Sequence, residues 1–504
     1  MSLRYSLLAL AVLSASSQAA GFKIFEQSTS SMGNAYAGRT ALAEDATVVY
    51  SNPAAMTELD QAQWIVGANA IFAQADWSNA RGQNANGQAV AGPASDDFSS
   101  LSVVPHLYYY QPINEQWHAG LALVVPYGVT SDYDDDFVGR YFADKTSFQV
   151  VSLQPALAYK VNDAWSLGLG LSVNFAQGEL SKFKDHSGLC EMPAAALNGQ
   201  YAQLSGGAYD SVYQDAFCES RYRVKGDDWG LGLSLGLHYR PSDALQLGMN
   251  WHSQVHYSLE GDSTITNTPV TGELAPQALV DAGILWVAPT IPGVVDGSKL
   301  PTVNTQTGQL AVNSQMTESS RLSLTTPQSV AFSGAYQLGK WTYLASANWT
   351  EWSKFQSIRI ESTASTPSIS ASTSLPNNLN ETGLIGYIPE KWQNAWAFAL
   401  GVNYQLNPDL VLRAGYALDQ SPVRDEFRTA RIPTSDRQWF TLGLGWELSP
   451  AWHLDLAYGY MKMDDVKVDE REFNAQDQAL YSSGYQADYE LDAHVLSAQL
   501  VHRF

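Results

Sequence analysis

Few residues in this 504-residue chain are spaced for chemistry. Gly232-Leu233-Ser234-Leu235-Gly236 fits the G-x-S-x-G frame, in which a nucleophilic serine sits on a sharp turn from strand to helix. Here the frame falls midway along an alternating stretch, Trp229 to Tyr239, which has no place for such a turn, so a catalytic Ser234 is set aside. Cys190 and Cys218 stand in neither a CxxC nor a Cys/His spacing, which argues against zinc. In an exported chain an even pair of this kind is expected to close one disulfide. Two acidic runs, Asp132 with Asp134, Asp135 and Asp136, and Asp464, Asp465, Asp469 and Glu470, carry the oxygen ligands a divalent cation needs. Both read better as solvated loops. No catalytic residue, metal site or cofactor is expected.

The elements around these residues belong to an unusual composition. Hydrophobic residues make up 45% and aromatics 12%, while charged residues are only 15%, against ~25% in soluble domains. Yet after the first 20 residues no stretch reaches the ~18 consecutive apolar residues of a membrane helix. A net charge of −22 excludes a nucleic-acid partner, which needs a basic surface. Residues 1–20 carry Arg4, the apolar run Leu7 to Leu13 and the small-residue end Ser17-Gln18-Ala19-Ala20. This is the layout of a secretory signal peptide, and removal is expected next to Gly21.

Alternation is the dominant pattern. From Trp165 to Phe175 every odd position is apolar and every even one small or polar; Trp229 to Tyr239 and Phe440 to Leu448 repeat the scheme. A period of two is the strand period. A soluble sandwich would also alternate, but small and polar inner faces with aromatic ends favour lipid outside and a wet or lined lumen inside. Short connections at 112–115, 161–163, 241–243, 337–340, 407–409 and 449–450 alternate with long polar ones near 74–100, 127–147, 184–221, 261–319, 361–391, 419–437 and 464–488. Short periplasmic turns and long outer loops identify an outer-membrane barrel, and these connections join about fourteen strands. The expected fold is all-β, a transmembrane antiparallel β-barrel over 61–504, with a first strand from Trp64 to Phe72 and a last one ending at Phe504. Residues 21–60 do not alternate. They fit either a periplasmic tail or a plug in the lumen; the plug is favoured, because so wide a barrel conducts water unless filled.

Gly21-Phe22, Ser30 to Gly38 and Asn52-Pro53-Ala54 resemble the N-terminal hatch of FadL-type long-chain fatty-acid outer-membrane transporters. Asn162 to Gly170, Trp349 to Phe355 and Asp419 to Val423 continue the resemblance through nearly the whole mature chain. It implies a 14-stranded barrel with its hatch inside, passive uptake of long-chain fatty acids or related hydrophobic molecules, and lateral exit through an inward kink of the third strand. The kink would fall at Pro126-Tyr127-Gly128, where proline lacks the ladder N–H and glycine permits unusual dihedrals. An ordinary strand end is the plainer reading of those residues. The resemblance also places the ligand carboxylate between Lys182 and Arg359, with Leu180 and Phe183 beside its tail. Lys182 keeps the inward parity of its strand, whereas Arg359 needs a one-residue bulge near Glu351 to face inward. The bland alternative for both is a cation at a strand end meeting lipopolysaccharide phosphate or loop carboxylates. Relatives imply another cargo, neutral monoaromatic or aliphatic hydrocarbons, and a channel with no energy-coupling motif sets no direction, so export, of oxidised fatty acids, stays open; the two cations favour a carboxylate. The barrel is expected to work as a monomer among outer-membrane lipid and lipopolysaccharide, after insertion by the barrel-assembly machinery.

Overall fold

The computed structural model describes residues 21–185, 219–267, 315–365 and 381–504, together with a few isolated positions between them. Fourteen antiparallel strands form one closed barrel. β1 spans Gln63–Gln83, β2 Asp96–Pro112, β3 Trp117–Asp132, β4 Lys145–Lys160, β5 Trp165–Asp185 and β6 Glu219–Ser242. Four strands that follow are each interrupted once: β7 (Leu245–His252, Val255–Asn267), β8 (Gln315–Thr326, Ser329–Leu338), β9 (Trp341–Thr350, Ser357–Ser362) and β10 (Leu384–Pro389, Ala395–Asn407). β11 is Leu410–Asp419, β12 Arg437–Ser449, β13 Trp452–Met463 with Val466–Phe473, and β14 Ala479–Arg503. β14 returns to β1 in register from Gln63↔Arg503 to Gln83↔Gly484, which closes the sheet and leaves it no free edge there.

Alternation sets which way each strand faces. Leu167, Leu169, Leu171, Leu231, Leu233 and Leu235 are exposed on the outer wall, while Ser166, Gly170, Ser234 and His238 are buried inside. Lipid replaces water around the outer leucines, so their exposure carries no hydrophobic penalty. Among the described residues no helix is long and apolar enough to cross a membrane. Each of the six expected short turns is present; in two of them Asn114 and Asn162 accept backbone N–H groups through Oδ1, from Gln116 and Trp117 and from Ala164 and Trp165.

The strands outrun the expected boundaries. β1 continues to Gln83, β2 starts at Asp96 and β14 is 25 residues long, so much of the expected 74–100 loop is sheet. Spanning the membrane takes only ~9–11 residues. Above that height water lies on both faces, and Asp76, Asn79 and Arg81 no longer need to alternate with apolar residues. Residues 1–20, with the expected signal peptide, and the pair Cys190 and Cys218 lie outside the described residues.

Residues 21–60 are mostly buried, with two short helices, α1 (Thr29–Met32) and α2 (Val48–Ser51), and a 3-10 helix at Pro53–Glu58. They touch inward-facing groups all round the barrel. Thr29 N–H donates to Gln499 on β14, Gly38 N–H to Ser346 on β9 and Thr40 Oγ1 to the Gly248 carbonyl on β7; Gln154 on β4 donates to the Val49 carbonyl. Asn52 caps the 3-10 helix, its Oδ1 accepting from Ala54 N–H, and its amide donates to the Thr40 and Leu237 carbonyls. Asn52-Pro53-Ala54 lies so close to β5 and β6 that glycine is required opposite it. A Cβ on Gly168 would come 2.2 Å from Ala54 N, and one on Gly236 2.2 Å from Asn52 Oδ1.

Candidate functional site

The hydrogen bonding of the barrel wall lapses between β2 and β3. β2 and β3 pair from Pro112↔His118 to Leu107↔Leu123 and no further, although β2 continues up to Asp96 and β3 up to Asp132. On its other side β3 slips by one residue against β4, between Val124↔Ser152 and Tyr127↔Val150. Within the slip Val124, Val125 and Pro126 are all buried, so the in-out alternation of the strand fails there. Pro126, which has no N–H to give a neighbour, sits at the break, as expected of proline in a sheet.

The backbone freed at the break is taken by residues 22–24. Ile24 N–H donates to the Pro126 carbonyl and Gly128 N–H to the Phe22 carbonyl, both at 2.9 Å, and Lys23 forms an antiparallel bridge with Tyr127. This clamp carries the Phe22 ring into an aromatic box, with ring centres 4.7 Å from Trp352, 5.3 Å from Phe355, 5.4 Å from Phe148 and 5.6 Å from Trp392. Beyond the box the inward faces carry a broad apolar cluster. Val129, Phe148, Leu180, Val224, Leu259, Leu322, Ile360 and Ile385, one from each of β3 to β10, are buried in the same cluster as Phe22. A water-filled pore would turn polar side chains to these positions.

Leu180 lies in this cluster and Phe183 does not: its ring is buried beneath the Arg221 guanidinium, 5.2 Å away. Lys182 faces inward, as its parity requires, and its Nζ meets Glu472 Oε1 on β13 at 3.0 Å. Arg359 is held at 2.6 Å by Glu381 and lies 5.8 Å from the Tyr387 ring. The expected one-residue bulge near Glu351 is instead a longer break, with a 3-10 turn at Trp352–Lys354, and it leaves even positions inward. Ile358 and Ile360 therefore enter the apolar cluster and Arg359 faces away from it. Each cation thus ends on its own glutamate.

Ser234 lies mid-strand, buried, with its hydroxyl 3.0 Å from Asn250 Oδ1. Asp132 and Asp135 are engaged by Lys145 and Arg221. Sequence reasoning passed over a buried charged seat under residues 21–60. Arg413 on β11 meets Asp455 on β13 at 2.7 Å and Glu44 at 3.3 Å, and Gln499 donates to both Asp45 and Asp455. The signal was legible: Arg413 and Asp455 occupy inward positions of alternating strands, and a charge at membrane depth marks function or anchoring.

This architecture has known counterparts. The family model described as outer membrane protein transport protein (OMPP1/FadL/TodX) matches residues 10–504. The long-chain fatty acid transport protein of Escherichia coli O6:H1 is 28% identical over 468 residues, 92% of each chain. Outer membrane protein P1 of Haemophilus influenzae is 28% identical over 509 residues, 95% of each. Among solved structures, a Pseudomonas aeruginosa FadL homologue superposes with a TM-score of 0.74 at 25% identity, covering 96% of this chain and 100% of that one. The Pseudomonas putida toluene transporter TodX, at 16% identity and a TM-score of 0.59, shares the fold over 96% of this chain and 99% of its own. With the family model matched from residue 10 to the last, and with a closed barrel to carry it, this chain is an outer-membrane β-barrel of the OMPP1/FadL/TodX transport family.

Proposed function

We propose that the protein carries long-chain fatty acids, and hydrophobic molecules like them, inward across the outer membrane without chemical change or coupled energy. The observation that carries this reading is the apolar lining that β3 to β10 turn into the lumen, where a solute pore would be wet. An acyl tail would lie there and compete with Phe22 for the aromatic box. Lys182 would take the carboxylate from Glu472 at the outer end of the chamber, with Leu180 beside the tail. Arg359, turned from the chamber, would act on the approach to it, and Phe183 would support the outer rim. The cargo would leave sideways between β2 and β3, at Pro126-Tyr127-Gly128, because residues 21–60 act as a hatch below, seated through Asn52-Pro53-Ala54. Residues 1–20 serve export and 61–504 form the barrel.

No catalysis belongs to this account: Ser234 has an amide oxygen rather than a base as its partner. Neutral hydrocarbons would use the same chamber but gain nothing from Lys182. The barrel would act as a monomer surrounded by outer-membrane lipid and lipopolysaccharide, placed there by the assembly machinery.

Purified protein in liposomes, supplied with labelled oleate or sucrose, tests the reading. Oleate transfer should exceed that of protein-free liposomes while sucrose remains excluded. Sucrose passing at the rate of an open pore, or oleate indifferent to the protein, would overturn it.

A further inference from the structure

Lys23 and Arg39, inside the barrel, have no carboxylate within ion-pair distance among the described residues. Lys23 Nζ reaches only Thr350 Oγ1, at 3.4 Å, and Arg39 donates to Gln27 Oε1 at 3.3 Å. Both stand over the same ring: Lys23 Nζ is 5.4 Å and Arg39 Cζ 5.8 Å from the centre of Phe25, and Arg39 is also 5.7 Å from the centre of Tyr36. Like charges gathered behind a low-dielectric wall repel, and an aromatic face relieves only part of that cost. The Tyr36 hydroxyl is buried with no hydrogen-bond partner, although a buried donor left unpaired is costly. Phe25 and Tyr36 line a cavity of about 30 Å³, and Lys23 borders another of about 10 Å³ that shares Phe25.

The nearby carboxylates do not settle these charges. Asp419 lines both cavities but is the cross-strand partner of Arg437, 3.9 Å away. Glu26 has its Oε2 on Phe25 N–H, and burial pushes its acid up to about 7. Burial first, and then the charge of Arg39, push Lys23 down to about 7 as well. What the cluster lacks is an anion that brings little water with it.

We propose that Lys23, Arg39 and the Tyr36 hydroxyl form a second carboxylate station, reached after Lys182, which holds the head group of an amphiphile as it turns toward the break in the wall. The location fits, since Lys23 itself bridges Tyr127 at the slip in β3. Phe25 and Trp439 give the first carbons of the chain an apolar flank. The inference rests on the fatty-acid reading above and adds a residue-level step to it: the carboxylate is passed between cations rather than dragged uncompensated through an apolar chamber.

The test compares oleate with oleyl alcohol, which has the same tail and no charge, in liposomes carrying wild type, Lys23→Gln with Arg39→Gln, Lys23→Arg, or Tyr36→Phe. Heat-resistant migration on gels confirms a folded barrel in each. The double variant should move oleate about tenfold more slowly or worse, the loss expected when a charge-assisted bond to a carboxylate disappears. Oleyl alcohol should move within about twofold of wild type, Lys23→Arg should retain the oleate rate, and Tyr36→Phe should fall between. Equal slowing of acid and alcohol would show that these residues only seat the N-terminal segment, and an unchanged oleate rate would remove the station outright. A wild-type protein that moves neither lipid would instead overturn the underlying functional reading.

Discussion

At the scale of single residues the outcome turns on what each cation already holds. Lys182 is about a quarter exposed and paired with Glu472. A carboxylate arriving there exchanges one acid for another, so the gain is smaller than for a cation with no partner. Charge-assisted hydrogen bonds contribute ~1.5–3 kcal/mol and a partly exposed ion pair ~0–1 kcal/mol. Lys182→Ala should therefore weaken oleate binding about tenfold and leave a neutral hydrocarbon of similar length unaffected. Arg359→Ala should change oleate binding by about threefold at most, because Arg359 faces Glu381 and not the chamber. Titration of both ligands against both variants checks this; equal losses for acid and hydrocarbon would mean that Lys182 acts through packing. The direction of Lys182 was legible from the even parity of Leu180 and Gly178. That of Arg359 was not, since hydropathy cannot count the residues in a break such as Glu351 to Gln356, and the count decides which face follows.

Elements read more plainly than residues where lipid imposes a pattern. Trp165 to Phe175 and Phe440 to Leu448 alternate because one face must be apolar, and turns such as 161–163 announce themselves through asparagine and aspartate. The tops of β1, β2 and β14 were missed because no such demand reaches them. The course of residues 21–60 was missed in detail because its contacts are long-range hydrogen bonds, such as Thr29 to Gln499, and leave no periodic trace. Its seat is testable through Arg413, which with Asp455 forms a pair almost fully withdrawn from water. Removing one partner of a buried pair costs ~3–5 kcal/mol, because the other charge is stranded. Arg413→Ala should thus loosen the N-terminal segment while the barrel stays closed. In planar bilayers it should raise ion conductance above wild type; conductance equal to wild type would show that the segment is held elsewhere. The pair Cys190 and Cys218, in the long connection after β5, is expected to be oxidised, so denatured, unreduced protein should show no thiol reactive toward maleimide. Two reactive thiols would end that expectation.

For the whole molecule, closure is the main fact: β14 meets β1 along its length, while β2 parts from β3 partway up the wall. In the proposed account apolar cargo leaves at that parting, since a lipid-soluble molecule in an apolar lumen loses no hydration by stepping sideways into the membrane. Sequence parity could place the lumen and the lipid face, but the parting of two strands lies next to one extra residue in β3, visible only when β4 is laid beside it. The same count supplies the test. Three residues advance on β3 from Val124 to Tyr127 while two advance on β4, and Val129↔Phe148 follows in the shifted register. Deleting Gly128 removes the extra residue and also the N–H that binds Phe22, so β3 can pair regularly on both sides. The decisive measurement is the rate of oleate transfer through this variant in liposomes, with heat-resistant migration confirming a folded barrel. The account predicts transfer at least about tenfold below wild type with oleate binding retained; a rate equal to wild type would show that the cargo passes straight through the lumen and not through the wall.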